Sequence, residues 1–379
     1  KTEPAYPLEN VDPAKPVDII SKNPYRFTRK IKHFFTLPLP TDKEFILISQ
    51  WTDAMGRHIF QGVGVLDYSG DNTHRFLLDY YNAMVGPGFG LTLSSLMDFT
   101  IRPYDNSRYG LIEEISGVTL YTNIPWNFGE HFNSDHRLQI KTAYNDRRIA
   151  QLFVEGNKPF ELVPSYDSTL HVPHPESINE GVVSVAYRWL SRRPHKYNQM
   201  IPKTGHGISF SVDHANSSLL GDMDYTRFTS DAFINHKAGG MVLYGRIKTM
   251  AMEGTPPSQN TLALTEDTPI YFPTDNILAE NEVLNPRGWR GFRLGNRLVF
   301  GTLEYRAGSE KVSLALISDI ANAWKSGQDL DDWIVTVGYE IRAAILGTVL
   351  AYGQAQTLDD WKDDLEPETY VRLTLINPF

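Results

Sequence analysis

Over residues 333–345 the side chains alternate with a strict period of two. One face reads Trp333, Val335, Val337, Tyr339, Ile341, Ala343, Ile345; the other reads Ile334, Thr336, Gly338, Glu340, Arg342, Ala344. Strand side chains point to opposite faces with that period, so this segment predicts a strand with one wholly apolar face. The same split separates Val183, Val185, Tyr187 and Trp189 from Ser184, Ala186 and Arg188, and sets Val371, Leu373 and Leu375 against Arg372 and Thr374. Comparable runs predict strands at 44–54, 57–68, 72–84, 87–98, 111–122, 134–147, 149–155, 180–193, 205–216, 222–235, 239–252, 295–307, 311–322, 333–345, 347–356 and 368–378. Turn clusters such as Tyr68-Ser69-Gly70-Asp71-Asn72 and Lys237-Ala238-Gly239-Gly240 separate them. No helical period of useful length interrupts the series beyond a turn near Leu358–Trp361. Sixteen strands with few helices predict one large all-β structure over 44–379. Residues 1–43, with Pro4, Pro7, Pro13, Pro16 and Pro24, read as an extended lead-in or linker.

Alternation fits two architectures. A soluble antiparallel sandwich or barrel turns its apolar face inward. An outer-membrane barrel turns it outward and keeps a polar lumen. Strand length favours the second, because many runs reach 11–15 residues, whereas globular strands cluster near 5–6. The 19 Tyr, 19 Phe and 7 Trp, often near strand ends, suit interface girdles. The chain also stops at Phe379, directly after an alternating strand.

Composition removes several other classes. Among the 379 residues there is no Cys, which excludes a disulfide framework, a thiolate nucleophile and Cys-based zinc or iron–sulfur centres. A net charge of −9 argues against nucleic acid as a partner. No apolar run approaches a transmembrane helix, which leaves strands as the only spanning elements. No signal-peptide-like apolar stretch follows Lys1, so the expectation is a processed chain or the C-terminal piece of a longer one.

The chemistry-bearing motifs reduce to few. Gly62-Val63-Gly64 and Gly86-Pro87-Gly88-Phe89-Gly90 lack a following helix and read as turn or strand glycines. His171 and His174 lack a clustered third ligand. Asp213-His214 has no nucleophile elbow to serve. Asp359, Asp360, Asp363 and Asp364 lack calcium-loop spacing. The expectation is no enzyme, no cofactor and no metal.

One segment is more specific. Asn285-Pro286-Arg287-Gly288-Trp289-Arg290-Gly291-Phe292 falls in a long loop, 253–294, between two strong strands. Trp289-Arg290-Gly291-Phe292 resembles the Val-Arg-Gly-Phe/Tyr signature of BamA/TamA-type outer-membrane barrels, the bacterial surface antigen family. Gly301-Thr302-Leu303-Glu304-Tyr305-Arg306, Asp319-Ile320-Ala321-Asn322-Ala323-Trp324, Gly338-Tyr339-Glu340-Ile341-Arg342, Gly347 with Leu350-Ala351-Tyr352-Gly353, and the Pro202-Lys203-Thr204-Gly205 turn are similar to further motifs of that family. Trp289, Ala321 and Glu340 replace its Val, Gly and second Gly. The specific likeness covers 202–379. Leu47–His58 more loosely resembles the first hairpin of related barrels that follow a TolB-like β-propeller, which implies a periplasmic domain ahead of Lys1.

The resemblance implies a sixteen-stranded transmembrane barrel in a Gram-negative-type outer membrane, with the 253–294 loop folded into its lumen. It implies a role in inserting or translocating outer-membrane proteins. Client proteins and membrane lipid would be the partners. An anchoring subunit of an envelope complex and a passive porin are the rival roles. By parity Glu304 and Asp319 face the lumen, as do Glu340 and Arg342, and Arg290 is expected to meet one or both of the first two carboxylates. The resemblance also implies a weak seam between the first and last strands, here 44–54 and 368–378. Tyr370, Leu373, Leu375 and Phe379 mark the closing strand, which Pro378 would shorten.

Overall fold

Alternation of this length can be satisfied only by a sheet with two unlike faces, and the chain forms one. The structure is a computed structural model. It describes residues 31–375 apart from 41–43, 54–55, 69–74, 85, 105–106, 126–134, 156–161, 166–176, 192–203, 258–259, 265–285, 290, 292, 310, 329–331, 346–347 and 364. The strands are β1 (Lys32–Pro40), β2 (Glu44–Thr52), β3 (His58–Asp67), β4 (Arg75–Asn82), β5 (Gly88–Tyr104), β6 (Ser107–Pro125), β7 (Asp135–Glu155), β8 (Leu162–Ser165), β9 (Ile178–Leu190), β10 (Gly205–Ala215), β11 (Asp224–Ala238), β12 (Met241–Thr255), β13 (Leu262–Leu264), β14 (Arg293–Gly295), β15 (Arg297–Gly308), β16 (Val312–Trp324), β17 (Ile334–Ile345), β18 (Thr348–Thr357) and β19 (Glu368–Leu375). A single helical turn, α1 (Leu358–Lys362), is capped by the Thr357 side chain, which accepts from the Asp360 backbone N–H.

The strands form an antiparallel meander. Each wall strand pairs with the next, and the long loop after β12 is skipped, so that β12 pairs with β15. β7 pairs with β9 along Asp135–Arg147 and with the four-residue β8 at its far end. Setting β8 aside, β1–β7, β9–β12 and β15–β19 make the sixteen strands of a barrel wall. β13 and β14 pair only with each other, as a ribbon within the long loop. Among the described residues no ladder joins β1 to β19.

Two boundaries differ from the sequence reading, and they offset each other in the count. The first strand is β1 at Lys32–Pro40, inside the span read as a lead-in. Pro38 and Pro40 made it look like a linker. It pairs on one side with β2, and an edge strand tolerates residues that cannot donate. The first described wall strand is therefore 32–40 and not 44–54, and the last is 368–375, with 376–378 outside the described residues. The runs read separately as 134–147 and 149–155 are one strand, β7. Opposite Ile112 and Glu113 its partners jump from Gln151 to Ile149, so Ala150 is a bulge. A bulge shifts the alternation by one residue, which from sequence looks like a strand ending.

The two faces are inverted relative to a soluble protein. Leu303, Leu314, Leu316, Ile341, Tyr352 and Val371 are exposed, whereas Gln139, Asp213, Asp319, Thr336 and Glu340 on the opposite face are buried. On β16 the exposed side is Val312, Leu314, Leu316 and Ile320, while Ser313, Ala315, Ile317 and Asp319 are buried. That outward run spans roughly 20–25 Å once a strand tilt of about 40° is applied, close to the apolar band of an outer-membrane barrel. No helix among the described residues is long and apolar enough to cross a membrane.

On the inner face aromatic rings lie over glycines directly across the ladder. Gly90 is opposite Tyr121 and Gly353 opposite Tyr370. A Cβ on Gly90 would stand 2.0 Å from the Tyr121 ring. That ring has little room to move, because its hydroxyl donates to both carboxylate oxygens of Asp79 at 3.2 and 3.1 Å. Gly90→Ala is therefore expected to cost about 1–3 kcal/mol through overpacking. Gly64→Ala, with nothing within 4 Å of the new methyl, is expected to be near neutral. Urea unfolding midpoints of the two variants check this contrast, and equal midpoints would contradict it.

Candidate functional site: a loop held inside the barrel

The long loop between β12 and β15 returns to the wall through Pro286-Arg287-Gly288-Trp289. The Trp289 backbone N–H donates to the Pro286 carbonyl at 3.1 Å, closing a tight turn. Gly288 has φ +78°, the left-handed region that favours glycine, and an added Cβ would lie 2.2 Å from the Ala355 carbonyl carbon on β18. The turn thus needs glycine twice, for its dihedral and for its approach to the wall.

That approach delivers Arg287 to three wall strands. Its backbone N–H and Nε donate to Asp319 Oδ2 at 2.9 and 2.8 Å, and Nη2 donates to Asp319 Oδ1 at 2.5 Å. Nη1 donates to Glu304 Oε1 at 2.7 Å and stands 3.6 Å from Glu340 Oε2. Nη2 also donates to the Thr302 hydroxyl. Two further arginines complete the group. Arg306 Nε donates to Glu304 Oε2 at 2.6 Å, with its guanidinium carbon 3.9 Å from the Tyr244 ring centroid. Arg342 bridges Glu304 and Glu340, at 2.8 Å to the former through Nη2 and 2.7 Å to the latter through Nε.

Among the described residues, three guanidinium groups face three carboxylates. Asp319 and Glu340 have no exposure, and Glu304 and Arg287 have 4% and 6%. Charges so enclosed persist only when paired and hydrogen-bonded. The planar fork of arginine, which engages two carboxylates while its backbone holds one of them, is not reproduced by a lysine.

Glu304, Asp319, Glu340 and Arg342 come together on the lumen face. The described guanidinium that meets Glu304 and Asp319 belongs to Arg287, a residue to which the sequence reading gave no such role. The contact it expected of Arg290 is neither shown nor contradicted, since Arg290 and Phe292 lie outside the described residues. Trp289 packs against an apolar cluster that includes Leu264, Leu298, Phe300 and Ala323, and Gly291 lies against the Trp289 ring. The segment contains two consecutive Arg-Gly-aromatic repeats, Arg287-Gly288-Trp289 and Arg290-Gly291-Phe292. The tandem was the available signal, and sequence alone does not choose between its members. Tyr370 lies in β19 against Gly353, the side chains of Leu373 and Leu375 fall outside the described set, and Phe379 lies beyond it.

A second attachment went unread. Near the start of the same loop, Asn260 donates through Nδ2 to Glu180 Oε1 at 2.7 Å and accepts from Arg147 Nη1. Arg147 donates to Glu113 at 2.7 Å, and the Tyr225 hydroxyl donates to Glu180 at 2.6 Å. Between these two attachments the β13–β14 ribbon packs on β15 and β16. The loop is therefore fastened to β7 and β9 on one side, with Glu113 of β6 behind Arg147, and to β15, β16 and β17 on the other. The group was hidden because Arg147 sits three residues before the bulge, where the alternation of β7 loses its phase. Among the described residues no group of three or more His, Asp or Glu could hold a metal ion.

Arg287→Ala removes a guanidinium bonded to two buried carboxylates, Asp319 and Glu304, and is expected to cost about 3–5 kcal/mol. The loop should become cleavable by added protease in the folded barrel, and Arg287→Lys should restore little. Equal protection in Arg287→Ala and the parent chain would contradict the assignment.

No family model and no curated protein matches the chain. Solved structures do. BamA from Haemophilus ducreyi lacking POTRA domains 1–3 superposes with a TM-score of 0.57 at 11% identity, over 89% of this chain and 68% of that one. CdiB from Escherichia coli gives 0.55 at 9% identity, over 87% and 58%, and CdiB from Acinetobacter baumannii gives 0.51 at 9%, over 91% and 59%. The chain thus spans about three-fifths of the CdiB chains and two-thirds of that BamA chain. At such identities the likeness is one of fold: this is a sixteen-stranded antiparallel barrel of the BamA- and CdiB-like kind, with a loop held in its lumen.

Proposed function

We propose that this chain is the membrane-embedded barrel of an outer-membrane protein insertion or translocation device, and not an enzyme. The observation that carries the reading is the lumen loop clamped by Arg287 in a barrel of this fold. A passive pore gains nothing from filling its lumen with a doubly attached loop. A device that must stay sealed at rest does. The outer membrane of a Gram-negative-type bacterium is the proposed location, with client outer-membrane proteins or envelope subunits as partners.

The end where β1 begins and β19 finishes, called the terminus end, is placed toward the periplasm. Most connections there are five residues or fewer, including 53–57, 83–87, 239–240 and 309–311, while the long loop leaves from the opposite end. Outer-membrane barrels have short periplasmic turns and longer outer loops. β1 and β19 then form the seam through which a client would be released.

The chain's lack of Cys allows a clean test. One cysteine in β1 and one in β19, oxidised to a lock, should abolish insertion of a client barrel into vesicles and leave the heat resistance of the device intact. Activity that survives a complete lock would sink the insertion reading and favour an anchoring role. The same vesicles should show little single-channel conductance until Arg287→Ala and Asn260→Leu are combined. Large conductance in the parent chain would favour a porin.

A further inference from the structure

The outer surface of the terminus end differs chemically from the other end of the barrel. His33, His136, His206 and His236 all fall there, on the outward face and not fully buried. Three of them are built into aromatic pairs. His33 meets Trp51 edge-on at 5.8 Å between ring centroids. His136 stacks on Trp189 at 6.0 Å, and its Nδ1 is 2.8 Å from the Tyr187 hydroxyl. Trp189 in turn meets His206 edge-on at 4.9 Å. These contacts fix the ring planes. Among the described residues the Nε2 atom of His136 has no hydrogen-bond partner.

Among the described side chains, the exposed charges around these rings have one sign. Lys32, Arg57, Lys237 and Lys311 are exposed at this end, and no ion pair among the described residues engages them. The one described acid whose side chain is placed here, Asp53, is 2% exposed and is used internally, accepting from the Arg57 and His58 backbone N–H groups at 2.6 and 3.0 Å. The opposite end exposes Asp224, Glu253, Asp359, Asp363 and Glu366 together with Lys325 and Lys362. Among the described side chains, exposed cations and imidazoles therefore gather at this end, His33 with its Nε2 also 2.6 Å from the Thr36 hydroxyl.

Directly inward of His33 and Trp51 the outer wall is indented. A groove of about 400 Å³ runs across β2–β5, lined by Trp51, Phe60, Leu78, Tyr80, Leu91 and Leu93. Its floor is low because Gly62 and Gly64 supply no side chain on that face of β3. The lining is almost wholly apolar, which suits a hydrocarbon chain and not a soluble anion. An apolar slot beside a cationic, aromatic rim is the complement of one molecule type, an anionic phospholipid.

We infer that the terminus-end rim is a binding surface for anionic phospholipid, with phosphate against the histidines and lysines and an acyl chain in the β2–β5 groove. The inference rests on the reading that the barrel spans a bilayer. Tyr and Trp set the depth of a barrel in the interface, and basic side chains near an anionic surface add attraction for each charge. This rim combines both on one end, and so sets which leaflet it prefers.

The test uses the full chain in nanodiscs of phosphatidylcholine mixed with phosphatidylglycerol, with retained lipid measured by mass spectrometry after detergent exchange. The parent chain should retain phosphatidylglycerol in preference. A variant carrying His33→Gln, His136→Gln, His206→Gln and Lys237→Gln should lose that preference by at least about fivefold, the equivalent of roughly one basic side chain at an anionic surface. Inorganic phosphate should not displace the lipid. Heat-modifiable migration and protease resistance in phosphatidylcholine alone report separately on the membrane-spanning barrel, for both proteins. Equal retention of the two lipids by the parent chain overturns the inference, even if the variant does not fold. An unchanged preference in a folded variant overturns it too, as does full displacement by phosphate, which would mean a soluble-anion site.

Discussion

Asp319 sits on the inner wall of the barrel with no contact with solvent, and a carboxylate so placed needs a cation within reach. Arg287 supplies it from a loop that belongs to a different part of the chain, holding both oxygens with its side chain and one of them also with its backbone. Much else follows from that requirement. Glycine is required at 288 because the backbone must come against Ala355. Glu304 and Glu340 can be buried beside Asp319 because Arg306 and Arg342 share them. The net worth of such a cluster in stability is small, since desolvation offsets most of the attraction. Its effect is on position: removal of any member leaves an uncompensated charge, so the loop has one favourable place to be.

The barrel provides the setting that makes this expensive chemistry useful. Its outward face is apolar and its inward face polar, so water and charge are confined to an enclosed volume. A loop is held there at two points, by Asn260 and by Arg287. The two attachments draw on different strands, one set before and one after the middle of the chain. Changes in wall curvature would therefore be felt by the loop, and the loop's position would be felt by the wall. That reciprocity is a general property of coupled sites and requires no further device.

Much of the fold was legible because a period of two survives even in a sequence whose mean hydropathy is unremarkable. Parity placed Glu304, Asp319, Glu340 and Arg342 on one face and Leu303, Tyr305 and Leu316 on the other. What was not legible had local physical causes. Pro38 and Pro40 disguised an edge strand as a linker, because the missing donors matter only on a side with a partner. The bulge at Ala150 reversed the phase of β7 and split it in two. Arg287 and Arg290 sit in tandem Arg-Gly-aromatic triplets, and the sequence alone does not show that Arg287 reaches the wall. Asn260 carries no charge and no motif, so its contacts with Arg147 and Glu180 could come only from three dimensions.

The claim on which this account stands is that Arg287 and Asp319 act as one unit. A double-mutant cycle of Arg287→Gln and Asp319→Asn, read from urea unfolding of the folded barrel, measures it directly. The account predicts that the double variant loses clearly less than the sum of the single losses, a coupling of about 1–3 kcal/mol. Additive losses would show that the two side chains are independent, and would contradict it.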